Sequence, residues 1–260
     1  MLHSHLLIRE TRSISNLMNF KIKLRQKGQV IIIATAVITV ASFMMTSNLI
    51  SFVWADSINP SVYSKDDKPY GLTYGQWTAN FWKWVISIPQ QNNPNNDPTG
   101  AKCAINQNDP NVWYLASTFG GAAERTCTIP KGKAILFPLL VGECSYAENP
   151  NLKTESQLRA CAMEGQNVPR SMDVIIDGTK LKNLENYRVQ SQLFDVTFPE
   201  NNVFSAKPGN SKSVSDRFWV FLKPLSPGKH ELEFSASTID PSGVNNYNRH
   251  VKYHLIVPPW

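Results

Sequence analysis

The residues that could do chemistry are few in this 260-residue chain, and their spacing narrows them further. Glu143 and Glu148 lie on either side of Cys144 at the end of an apolar run. Hydrolysis of a glycosidic bond needs two carboxyl groups about 5 to 10 Å apart, and a strand-end loop held by a disulfide can gather these two with Arg125. On an open surface the same carboxylates would make only weak salt bridges. His250 and His254 are four apart, a metal-binding spacing on a helix. In a strand, four residues span about 13 Å, so the two cannot share an ion; they read as exposed side chains and no metal site is expected. His230 alternates with Leu232 and Phe234 and therefore faces inward, hydrogen-bonded to backbone or serving as a base, while Glu231 and Glu233 face out. Trp77 and Trp84 fall at core spacing, whereas Trp82 lies to the side of its helix and Trp260 is terminal. A ring that stacks on a ligand would come from these last two. No G-x-S-x-G or S-x-x-K nucleophile, P-loop, dinucleotide fingerprint or H-E-x-x-H is present, so no cofactor is implied.

The elements that must position these residues are mostly strands. Segments 112–118, 133–141, 172–176, 187–198, 214–222, 230–238 and 249–257 are rich in Val, Ile, Phe, Tyr and Trp and are bounded by Gly, Pro, Asn or Asp. Asp177-Gly178 has the composition of a two-residue hairpin turn, and Pro227-Gly228 lies between two alternating runs. Two helices stand out. Thr73-Tyr74-Gly75-Gln76 forms a capping box, followed by Trp77, Phe81, Trp84, Val85 and Ile88 on one face and Gln76, Asn80, Lys83 and Ser87 on the other. A shorter helix is predicted at 154–164. Many strands without β-α alternation predict a mainly β fold, an antiparallel β-sandwich of immunoglobulin-like or jelly-roll type, with the Trp-rich helix at its edge or end. The Asn, Gln and Pro run at 90–97 reads as a solvated loop; with Asp97 as its lone carboxylate it is a poor calcium ligand set.

Charge explains the front of the chain. The net charge is +6, which raises the question of nucleic acid. Residues 1–55 carry Arg9, Arg12, Lys21, Lys23, Arg25 and Lys27 against Glu10, leaving 20 basic and 19 acidic side chains in residues 56–260. A nearly neutral domain excludes nucleic acid as the partner. Residues 28–55 carry no charge and follow a basic flank, as in an export signal. Cleavage after Ala55 and retention as a membrane anchor are both compatible with this length. The expected organisation is a cytoplasmic flank (1–27), a signal peptide or transmembrane anchor that engages the membrane (28–55), a tether (56–72) and an extracytoplasmic domain (73–260). Cys103, Cys127, Cys144 and Cys161 all fall in that domain without C-x-x-C spacing. Two disulfides between neighbours, Cys103 with Cys127 and Cys144 with Cys161, are expected.

Trp77 through Trp84, Val112-Trp113-Tyr114-Leu115-Ala116 with Phe119-Gly120-Gly121, Arg125-Thr126-Cys127, Ile129-Pro130-Lys131-Gly132-Lys133, Phe137-Pro138 and Gly142-Glu143-Cys144-Ser145 together resemble a group of exported bacterial and archaeal proteins without an established activity. The resemblance spans about residues 70–258 and implies no catalytic residue. The segment around Pro227-Gly228 is similar to the Pro-Gly hairpin of extracellular immunoglobulin-like and jelly-roll modules. The function expected is an extracytoplasmic binding or structural module whose partner is a glycan or another cell-surface molecule. The alternative is an exported hydrolase of carbohydrate or envelope polymer, using a carboxylate pair at Glu143. Geometry separates the two, because the hydrolase needs Glu143 and a second carboxyl group, or His230, to converge in an open cleft.

Overall fold

A computed structural model of the chain describes residue 59 and residues 61–163, 169–239 and 247–260. The chain divides into two units, residues 1–57 and 58–260, and the description concerns the second. The leader lies outside the described residues, among which no helix is long and apolar enough to cross a membrane.

The described residues of this unit form nine strands and two α-helices, with short 3-10 turns between them. They are, in chain order, α1 (Tyr74–Ile86), β1 (Val112–Tyr114), β2 (Gly121–Thr128), β3 (Ala134–Ser145), α2 (Glu155–Met163), β4 (Pro169–Ile176), β5 (Thr179–Lys180), β6 (Phe194–Phe198), β7 (Gly209–Leu222), β8 (Gly228–Thr238) and β9 (Asn248–Val257). The strands form a four-stranded sheet, β1-β3-β7-β6, and a five-stranded sheet, β2-β9-β8-β4-β5. Both sheets are mixed: β1 runs parallel to β3, and β2 runs parallel to β9. This corrects the all-antiparallel expectation. Strand β2 was not legible because its inward positions are Ala123, Arg125 and Cys127, with none of the β-branched or aromatic residues that mark a strand. It is held in place by the apolar face of β9, in register Ala123 to Val251, Arg125 to Tyr253 and Cys127 to Leu255.

The burial patterns explain the layering. Strands β2, β8 and β9 alternate between buried and exposed residues, so one face of their sheet is wet. In contrast, β3 is buried continuously over residues 134–140 and β7 over residues 213–222, so the four-stranded sheet is covered on both faces. Ile135, Phe137, Val220 and Leu222 meet Val174, Leu232, Phe234, Val251 and Tyr253 of the other sheet in one apolar core. Tyr114, Leu136, Trp219 and Phe221 point the opposite way, onto Trp77, Phe81, Trp84 and Val85 of α1. The Trp-rich helix therefore covers a sheet face rather than an edge. Its capping box forms as the sequence predicts, with Thr73 Oγ1 accepting from the Gln76 N–H at 3.3 Å and Gln76 Oε1 accepting from the Thr73 N–H at 2.8 Å.

Three expectations about connections change. The described residues of the expected tether pack on the domain: Tyr63 N–H donates to Phe221 O, and Trp77 Nε1 donates to Pro69 O at 2.9 Å. The run 90–97 is solvated only in part: Gln90, Gln91, Asn92 and Asn96 are exposed, whereas Asn93, Pro94 and Asp97 are buried. Asn93 is fully buried and its amide donates to Val85 O (2.7 Å) and Ile88 O (3.1 Å), satisfying carbonyls at the C-terminus of α1. Pro227-Gly228 leads from β7 in one sheet to β8 in the other, so it makes a crossover rather than a hairpin. Asp177-Gly178, both residues at positive φ (49° and 76°), does close the β4–β5 hairpin. Both disulfides form between neighbours, Cys103–Cys127 and Cys144–Cys161. The first ties the loop before β1 to β2, and the second ties the end of β3 to α2. Each contributes about 3 kcal/mol by restricting the unfolded chain.

Candidate functional site

Strand β3 ends at Ser145 and the turn that follows brings Glu148 back beside Glu143. Ser213 Oγ on β7 donates to Glu143 Oε1, and Ser145 Oγ donates to Glu148 Oε2 at 2.5 Å. Glu143 Oε2 is sealed from solvent. Burial, then the neighbouring Glu148 carboxyl, pushes the Glu143 pKa well above the ordinary carboxyl range. Burial likewise raises Glu148, against the hydrogen bonds from its neighbours. The two carboxyl groups thus converge, and burial favours the neutral form of each. On the opposite face of β3 and β7, Val214, Leu158 and the Cys144–Cys161 disulfide form an apolar plug beneath α2.

Arg125 is not with them. It lies on β2 in the other sheet, 2% exposed, and its guanidinium makes five hydrogen bonds. Nε donates to Asp97 O (2.6 Å), Nη1 to Ala116 O (2.9 Å) and Tyr253 Oη (2.8 Å), and Nη2 to Ser117 O (3.0 Å) and Asn95 O (3.4 Å). Every N–H is used, so Arg125 pins the 95–97 turn to residues 116–117. The Asp97 carboxylate is spent in the same way, accepting from the N–H groups of Thr99 (2.9 Å) and Lys102 (2.7 Å) and from the Thr99 hydroxyl (2.9 Å). Burial opposes its ionisation, but these donors hold its pKa below the ordinary aspartate value.

His230 faces inward at the end of β8, with Nδ1 2.7 Å from Asp177 Oδ2 and Nε2 2.8 Å from Ser226 O. Burial would lower its pKa, but the Asp177 and Ser226 hydrogen bonds outweigh it and the pKa is raised. His250 and His254 are on the wet face of the five-stranded sheet, each on its own carboxylate: His250 Nε2 lies 2.8 Å from Glu233 Oε1, and His254 Nε2 lies 2.7 Å from Glu124 Oε1. Among the described residues no group of three or more His, Cys, Asp or Glu side chains is placed to hold a metal ion.

The two candidate rings part company. Trp82 is 8% exposed and packs edge-on to Trp219 (6.2 Å) and against Phe204 (6.4 Å), so it is a core residue. Trp260 is exposed at the C-terminus.

Cavities on the described surface include three. One of about 530 Å³ lies between β4 and the segment after β5, and one of about 450 Å³ is lined by Asp177, His230, Glu231 and His254. The third, of about 410 Å³, is walled by Asn95, Asn96 and Asp97 on one side and by Thr118, Phe119 and Gly120 on the other, with Arg125 at its back. None of the three is lined by Glu143 or Glu148.

No family model matches this chain. No curated protein matches it either. Among solved structures, the complex described as "Structure of PbICP-C in complex with falcipain-2" is similar over 56% of this chain and 98% of that one, at 13% identity and a TM-score of 0.23. The Plasmodium falciparum protein Pf12p is similar over 52% of this chain and 41% of that one (12% identity, TM-score 0.20). Amebosin is similar over 52% and 97% (11% identity, TM-score 0.16). At such scores these likenesses carry no argument about fold or function.

Sequence reasoning passed over Asn95, Asn96 and Phe119. The available signals were a Phe directly before a Gly-Gly pair and an Asn-rich turn, and neither has a periodicity that marks a site.

Proposed function

We propose that this chain is an exported, disulfide-stapled binding module of the cell surface, delivered across the membrane by its apolar leader and released from it or anchored by it. The observation that carries this reading is the pair of disulfides, since such bonds persist in oxidising, extracytoplasmic settings. The basic flank and the uncharged 28–55 segment support the same direction. We read the two facing sheets as a sandwich-type scaffold, a rigid frame from which connecting loops present a binding surface. The hydrolase alternative has its carboxyl pair in Glu143 and Glu148, but that pair closes on itself inside the protein, and neither residue lines the three cavities described above, whereas a glycosidase pair flanks its substrate.

Protease added to intact cells tests the placement. Peptides from residues 73–260 are expected in the supernatant without lysis, with none from residues 1–27. Peptides from the domain that appear only after lysis would overturn the reading.

A further inference from the structure

The third cavity has a composition that selects a ligand class. Both charged residues in its wall spend their charges inside the protein: the Asp97 carboxylate on the N–H groups of its own turn, and the Arg125 guanidinium on four backbone carbonyls and the Tyr253 hydroxyl. What faces the space is neutral. The Asn95 side-chain amide makes no hydrogen bond among the described residues, and Asn96 uses only its Nδ2, on Gln90 O at 3.4 Å. Thr118, in the opposite wall, adds no charge; its Oγ1 is buried and has no hydrogen-bond partner among the described residues. Beside it Phe119 is 50% exposed and presents a ring face to the space. The ring is held by an edge contact to Phe204 (5.9 Å, 85°), which in turn packs on the buried Trp82 and Phe198. Gly120, at φ +146°, and Ala122 and Ala123 leave the wall beside the ring low.

We infer that this cavity is a binding site for a neutral glycan, with a sugar ring stacked on Phe119 and its hydroxyls hydrogen-bonded to the Asn95 and Asn96 amides. A sugar offers an apolar C–H face and a rim of hydroxyl groups, and this site offers one aromatic face and free amide donors and acceptors without net charge. A volume of about 410 Å³ is small for a ligand pocket and suits one or two sugar rings of a longer chain. The walls are preorganised, since Arg125 joins the 95–97 turn to residues 116–117 and the Cys103–Cys127 disulfide closes the same region. Stacking on one half-exposed ring gives weak single-site binding, which a surface displaying many copies converts to avidity.

The inference rests on the binding-module reading and names its ligand class. The test uses the full-length protein, extracted from membranes in a detergent without a sugar headgroup and titrated with mannopentaose, maltopentaose and chitopentaose while ligand-observed NMR is recorded. At least one of the three is expected to bind with a millimolar or tighter Kd. Phe119→Ala and Asn95→Ala are each expected to weaken that binding about tenfold or more, and Trp260→Ala to leave it unchanged. Thermal melts of the variants within a few degrees of the parent protein establish that the loss is local. Failure of all three sugars to bind, or binding indifferent to both substitutions, overturns the site. Binding confined to a sulfated or uronic-acid oligosaccharide overturns the neutral ligand class while the module reading stands. A domain found inside the cell defeats the module reading itself.

Discussion

Arg125 is a buried cation that no carboxylate contacts among the described residues; four carbonyl dipoles and a phenol take the place of its water. The fork of five donors in one plane matches that set, and an ammonium group cannot. Replacement by Met would leave the carbonyls of Asn95, Asp97 and Ser117 without this donor inside the protein. Arg125→Met is therefore expected to cost about 3 kcal/mol or more in urea unfolding, with Arg125→Lys recovering little of it. A loss below about 1 kcal/mol would mean that the clamp is not holding the loops. Strand β2 and the inward side of Arg125 were not readable in the sequence, because an inward arginine contradicts the polarity rule that locates cores.

Elements were legible where their own residues carried the signal. The capping box and the one-sided aromatic pattern locate α1 to within a residue or two, and Asp177-Gly178 locates a hairpin. The partner of α1 was not legible, because an amphipathic stripe says that a helix is covered but not by what. Continuous burial along β3 and β7 was the missing clue: strands wet on one face do not read as unbroken apolar runs, so 134–141 had to be covered on both sides. The parallel pairing of β2 with β9 lay beyond the sequence because it joins segments about 130 residues apart. The docking of α2 rests on a close approach, since a Cβ added at Gly142 would lie 2.0 Å from Ala162 O. Gly142→Ala is thus expected to push α2 off β3 and to destabilise by about 1–3 kcal/mol in chemical denaturation, even though its backbone conformation suits alanine. An unchanged midpoint would show that the helix can move away freely.

At the scale of the molecule, the buried ionisable groups set how stability follows pH. Glu143 and Glu148 bind protons more tightly folded than unfolded, so their contribution is complete below the ordinary glutamate pKa of about 4.3 and is lost as pH rises through their raised values. His230 acts in the same direction, from about 6.5 upward. Asp97 and Asp216 act in the opposite direction: held low, they contribute above the ordinary aspartate pKa of about 3.9, and that stability is lost as pH falls through their depressed values. Stability is therefore expected to peak near pH 5, with Tm lower by about 5 °C or more at pH 8. Glu143→Gln, neutral at every pH, should flatten the alkaline limb; a limb equally steep in that variant would remove the carboxyl pair as its cause. The fold is thus a three-layer frame, helix on sheet on sheet, with disulfides at two of its loop and helix junctions. Export is the claim on which its function turns, and the thiols report it most directly. Cells producing the full-length protein are lysed in a thiol-blocking reagent, and non-reduced peptides are mapped by mass spectrometry. The account predicts Cys103 joined to Cys127 and Cys144 joined to Cys161, with no blocked thiol at any of the four. Recovery of these cysteines as blocked free thiols would place the domain in a reducing compartment and contradict it.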